Sequence, residues 1–182
     1  MEEVAAGAGV SKQTVYNHFA DKEKLFAEVV AQTVDAASEL VHAEVRDLND
    51  SGDIEADLCD LARRLLAAVL NPPLLQLRRL VIAEAARFPR IGLAFYARGP
   101  ARNQDTLAAV FQHLSERSIL TIEDSRLAAR HFNWLVMAEP LNQAMLLGDA
   151  APAGPPQLDE HAITGVRAFL GIYVPVGDAA AS

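Results

Sequence analysis

The sequence predicts an all-α protein in which an N-terminal helix-turn-helix unit is joined by one long helix to a larger helical domain. Three observations predict it. Apolar residues recur at helical spacing through most of the 182 residues and never settle into the alternation of a strand. Proline, glycine and Ser/Asp caps divide the chain at helix-length intervals. An apolar fraction of 51% is ample for a core, yet no uninterrupted apolar run reaches the roughly 18 residues of a membrane span.

The first elements are short and closely specified. Met1 to Ala8, with Val4, Ala5 and Ala8 before Gly9, reads as a helix ended by a glycine turn. Ser11 and Asp21 stand where N-caps stand, so two further helices start ten residues apart. Val10 and Val15 flank the first cap at the spacing of a hydrophobic staple. The short helix after Ser11 turns Val15 and Phe19 inward and leaves Lys12, Gln13, Tyr16 and Asn17 to solvent, with Thr14, His18 and Lys22 at the margins. Cations, amides, hydroxyls and an aromatic ring are the groups that contact phosphates and base edges in a major groove. A helix, a glycine turn and a polar helix make the helix-turn-helix arrangement.

From Lys22 to Leu48 the apolar residues Leu25, Phe26, Val29, Val30, Val34, Ala37, Leu40, Val41, Val45 and Leu48 fall on one stripe, a helix of about 40 Å. Asn49 to Asp53 stops it and caps the next, whose inward set is Leu58, Leu61, Ala62, Leu65, Leu66 and Val69. Pro72 and Pro73 end that helix. Leu74 to Phe88 is a further helical stretch, in which Glu84 and Arg87 are placed for a surface ion pair. Pro89 breaks it, a short turn around Leu93 to Tyr96 follows, and Gly99-Pro100 starts a helix with Leu107, Val110, Phe111 and Leu114 inward. Asp124 caps a helix running to Gly148 with Pro140 inside it, where a kink is expected. Asp149 to Gln157 reads as a stiff linker and Ile163 to Tyr173 as the last helix. The expected domains are residues 1–26 for DNA binding, 27–174 for ligand binding and dimerisation, and 175–182 as a disordered tail.

The N-terminal block resembles the TetR family of transcriptional regulators. The pattern A-G-V-S-x-x-T-x-Y-x-x-F-x-x-K-x-x-L is met at Ala8, Gly9, Val10, Ser11, Thr14, Tyr16, Phe19, Lys22 and Leu25. Arg79 to Pro89 and Ala94 to Arg102 are similar to the C-terminal domain of the AefR-like subgroup. One departure is expected to matter: family members begin with another helix, which closes the three-helix DNA-binding unit, and none precedes Met1 in this sequence. A longer reading frame or a shortened chain would each account for it, and the chain starting at Met1 is expected to bind its operator more weakly than one carrying that helix.

Charge and chemistry narrow the function. A net charge of −8 excludes a protein that coats nucleic acid but not one with a small reading head. The single cysteine, Cys59, forbids an internal disulfide, reads as a small core residue, and suits a reducing, cytoplasmic setting. No phosphate-binding glycine loop, metal-ligand spacing or nucleophile motif occurs, so no enzyme activity, metal or cofactor is expected. Aromatic residues on helices broken by Pro and Gly suggest an effector pocket, with Phe88, Phe95, Phe111, His131, Trp134 and Met137 as its candidates and Glu139 as a further polar contact; an ordinary core is the alternative for the same residues.

The resemblance implies a ligand-responsive, cytoplasmic homodimer, a repressor that a small molecule releases from a palindromic DNA operator. Ser11 would cap the recognition helix; Lys12, Gln13 and Asn17 would reach base edges; Thr14, Tyr16, His18 and Lys22 would hold phosphates. The dimer interface is expected at Leu135, Leu141, Met145, Ile163, Val166 and Leu170. A helical ligand-binding or interaction module without DNA binding is the alternative.

Overall fold

The structure, a computed structural model, describes residues 1–19, 21–46, 52–148 and 154–174. The expectations at the side chains of Ala37, Leu40, Val41 and Val45, at Leu48 to Ser51, at Asp149 to Ala153 and at 175–182 lie outside the described residues. All regular structure in the described residues is helical.

Two short helices, α1 (Glu2–Gly7) and α2 (Lys12–His18), form the N-terminal unit, and α3 (Lys22–Arg46) leads away from it. Gly9 takes a φ of +67°, the left-handed turn a side chain disfavours, and so reverses the chain between α1 and α2. The predicted caps are in place: the amides of Thr14, Lys24, Ala56 and Leu127 donate to the side chains of Ser11, Asp21, Asp53 and Asp124 at 3.0, 2.8, 3.1 and 2.9 Å. Each satisfies a donor that a helix start leaves without a partner.

The remaining elements are α4 (Ile54–Val69), α5 (Pro72–Glu84), α6 (Pro89–Tyr96), a π-helical segment (Ala97–Ala101), α7 (Arg102–Glu116), α8 (Ser125–Leu147) and α9 (Pro155–Tyr173). Several boundaries differ from the sequence reading, most of them at proline. Pro72, Pro89 and Pro155 open helices rather than end or precede them, because the first turn has no use for the amide proline lacks and its fixed φ is already helical. Pro100 starts nothing. It sits inside the π segment that carries α6 directly into α7, where one wide turn tolerates the missing donor. Arg87 makes no ion pair with Glu84; its guanidinium lies over the Phe88 ring, 4.9 Å from the centroid.

Among the described residues most buried apolar side chains fall into two clusters. The larger joins α4, α7, α8 and α9 around Leu58, Leu65, Val136 and Val166, with Cys59 buried among them. At its centre Phe111 stacks on Phe169 with centroids 4.9 Å apart and meets the edge of Phe132 at 5.6 Å. Gly165 lets α9 approach α8 closely, since a Cβ there would lie 2.9 Å from the Leu135 carbonyl oxygen. The smaller cluster sets Val30 and Val34 of α3 against Leu77, Val81, Ile91 and Phe95 of α5 and α6.

A third contact ties α3 to the π segment. A Cβ on Gly99 would come within 2.9 Å of Val34 Cγ1, so only glycine allows this approach. Beside it the Ser38 hydroxyl donates to the Arg98 carbonyl at 3.1 Å. Arg98 pairs with Asp35 at 2.6 Å and Arg102 with Glu39 at 2.8 Å. These ion pairs are about half exposed, so they set register more than they add stability.

Candidate nucleic-acid interface and ligand cavity

The N-terminal unit buries little beyond Ala5 and Val15, and α2 presents a nearly complete polar face. Lys12, Gln13, Thr14, Tyr16, Asn17 and His18 are all exposed on α2, with Ser11 at its cap and Lys22 at the start of α3. They therefore share one end of the molecule. Ser11 Oγ and Thr14 Oγ1 are 2.8 Å apart, and Gln13 Nε2 donates to Asn17 Oδ1 at 3.1 Å, which holds the two amides side by side one helical turn apart. Lys12 pairs with Glu2 on α1. Both side chains of that pair are more than half exposed, so an incoming phosphate would compete for Lys12 at small cost.

A cavity of about 820 Å³ lies between α3, α4, α5, α6, the π segment, α7 and α8. Phe95, Trp134 and Met137 line it, together with Val34 and Ser38 of α3, Tyr96 and Asn103. The other three pocket candidates are elsewhere. Phe111 is wholly enclosed in the larger core; Phe88 packs on the smaller one; His131 faces away and sets Nδ1 2.8 Å from the Tyr173 hydroxyl. Glu139 is exposed and accepts from Gln143 Nε2 at 3.1 Å. Sequence reasoning missed Arg78, whose guanidinium lines the cavity and lies 5.3 Å from the centre of the Phe95 ring. The signal was faint: α5 buries Leu75, Leu77 and Val81 while exposing Leu80 and Ile82, so it has no clean polar face on which Arg78 would simply be solvated.

The residues expected at a dimer interface are spread over three environments. Val166 and Leu170 belong to the chain's own core, with Leu135 and Ile163 half-buried against it. Leu141 and Met145 line the cavity. The apolar side chains that α8 and α9 leave exposed are instead Leu127, Trp134, Leu146, Leu147 and Ile172. Among the described residues no group of three or more His, Cys, Asp or Glu is placed to hold a metal, and no single helix is long and apolar enough to cross a membrane.

A capped helix with a polar outer face after a glycine turn, set on a long helix that reaches a ligand-sized cavity, defines a helix-turn-helix DNA-binding protein with a separate helical domain. Residues 1–29 match the model for bacterial regulatory proteins of the tetR family, and residues 56–175 match the AefR-like transcriptional repressor C-terminal domain. A TetR-family transcriptional regulator from Mesorhizobium loti MAFF303099 is 40% identical and superposes with a TM-score of 0.91, over 95% of this chain and 85% of that one. The chain belongs to the TetR family and is a DNA-binding transcriptional regulator. The flavonoid-responsive regulator FrrA is similar at 25% identity and a TM-score of 0.72, over 97% of this chain and 87% of that one. A TetR-family regulator from Pseudomonas syringae pv. tomato DC3000 is similar at 25% identity and a TM-score of 0.73, over 97% and 86%. No curated protein matches the chain.

Proposed function

We propose that this regulator is a homodimeric, cytoplasmic repressor whose paired α2 helices read a palindromic operator and whose cavity binds the small molecule that releases it. The observation that carries the reading is the nearly complete polar face of α2. Residues 1–26 act as the reading head and 27–174 as the ligand-binding and dimerisation domain. Lys12, Gln13 and Asn17 contact base edges; Thr14, Tyr16, His18 and Lys22 contact phosphates.

Release has a physical route. The helix that leaves the reading head, α3, supplies Val34 and Ser38 to the cavity wall and is held to the π segment at Gly99 and Arg98 and to the start of α7 at Arg102. A ligand that favours one position of that segment shifts α3 by whatever free energy separates its affinities for the two positions. FrrA, similar in fold, is described as flavonoid-responsive, which supports effector control of this kind here. Dimerisation uses the apolar side chains α8 and α9 leave exposed, and two-fold symmetry sets the α2 helices about 34–36 Å apart, one DNA turn.

The test is fluorescence anisotropy at fixed salt with DNA from upstream of the protein's own gene. Tyr16→Ala and Lys22→Ala should weaken binding to every sequence, while Gln13→Ala should cost about 1–3 kcal/mol at one operator position and relax preference there. Equal loss for Gln13→Ala on matched and mismatched operators would remove Gln13 from base readout.

A further inference from the structure

We propose that the cavity takes an aromatic organic anion, an aryl carboxylate in chemical class, with its charged group set against the guanidinium of Arg78. The inference rests on the reading of this cavity as the effector site and names the ligand chemistry it selects.

Its charges carry the argument. The protein as a whole is acidic, at −8, yet every charged side chain lining the cavity among the described residues is an arginine: Arg78, Arg79 and Arg130. Arg79 is committed, since it donates to the Ala144 carbonyl. Arg78 is not. Its Nε is shut off from solvent and has no hydrogen-bond partner, and among the described residues no carboxylate lines the cavity; burial pushes its pKa down. A desolvated cation that has the Phe95 ring but no counter-charge is costly, and a carboxylate brought against it restores both a counter-charge and the acceptors a guanidinium fork is built to meet. Asn103 Oδ1 is also buried without a partner; as an acceptor it calls for a donor on the ligand's body, a demand separate from the carboxylate. The rest of the wall is mainly apolar and aromatic, with Ser38, Gln104, Asn133 and Asn142 set among Phe95, Tyr96 and Trp134, whose rings suit a flat body. A neutral ligand would bury Arg78 further and leave it unanswered; a small hydrophilic anion would leave the aromatic wall unused.

The experiment is isothermal titration calorimetry with biphenyl-4-carboxylate and its uncharged counterpart biphenyl-4-carboxamide, followed in parallel by emission from Trp134, the chain's single tryptophan. The carboxylate should bind about tenfold or more tightly than the carboxamide and shift the Trp134 emission. R78Q should abolish most of that preference while changing carboxamide affinity by less than about threefold. R78K, which keeps the charge, should retain a carboxylate preference, and it decides the matter should R78Q fail to fold by circular dichroism. Equal affinities for the two ligands in the wild-type protein, an undiminished preference in a folded R78Q, or binding that leaves Trp134 emission unmoved would each overturn the assignment. Operator release is measured separately: an Arg78-dependent preference with no effect on DNA affinity would uphold the anion site and remove its regulatory role.

Discussion

Phe111→Ala separates core from pocket, a distinction the sequence left open for this aromatic residue. Phe111 has no exposed surface, stacks on Phe169 and meets Phe132 edge-on. Truncation removes a full aromatic transfer term, two ring contacts worth about 0.5–1.5 kcal/mol each, and leaves a hole that three neighbouring helices are too rigidly packed to close. The expected loss is about 3–5 kcal/mol, a large share of a stability of roughly 5–15 kcal/mol. Urea unfolding at one fixed protein concentration measures it, and each kcal/mol should lower the melting temperature by about 2–4 °C for a chain of this size. Phe95→Ala is the internal comparison. Phe95 is nearly as buried but borders the existing cavity, so its truncation enlarges a void instead of creating one and removes fewer contacts. Its loss should be smaller and its effect on ligand affinity larger. A loss below about 1 kcal/mol for a folded Phe111→Ala, or a greater effect on ligand binding than on stability, would refute the placement of this ring in the core.

Three further outcomes are expected. Gly165→Ala should destabilise by about 1–3 kcal/mol despite the higher helix propensity of alanine, because its Cβ meets the backbone of Leu135, which cannot swing aside; an unchanged or raised urea midpoint would contradict the close α8/α9 approach. Burial raises the pKa of the Cys59 thiol, with smaller effects of the charges around it, and burial followed by Asp124 raises that of the Tyr173 phenol. Both groups then hold their protons longer folded than unfolded, so their contribution is complete at neutral pH and falls as pH rises through the alkaline range. Cys59→Ala and Tyr173→Phe should each make the alkaline decline in unfolding free energy shallower, and an unchanged slope would show that neither group drives it. Hydrogen exchange should be orders of magnitude faster over α1 and α2 than over α7 to α9, since the first pair buries only Ala5 and Val15 and leaves Val4 44% exposed; equal protection would contradict so small a core.

What the sequence by itself determined was local. Caps at Ser11, Asp21, Asp53 and Asp124 act within one helical turn, and the left-handed turn at Gly9 needs only its own residue, so each could be read from a few neighbouring letters. The polar face of α2 was legible for the same reason: helical periodicity alone decides which side chains share a side. Proline was legible as punctuation but not as direction, since the ring that closes one helix is equally suited to open the next, and the neighbours in space choose. Only the tertiary structure decided which aromatic residues enclose the cavity. Phe95 and Phe111 carry identical side chains at helical spacing, and it is the approach of α9, allowed by Gly165, that seals Phe111 into the core, while α3, α5 and α8 leave Phe95 beside open space. Arg78 shows the same limit from the other side. Its charge is legible in the chain, but its missing partner is a property of the cavity, made by helices brought together from distant parts of the sequence.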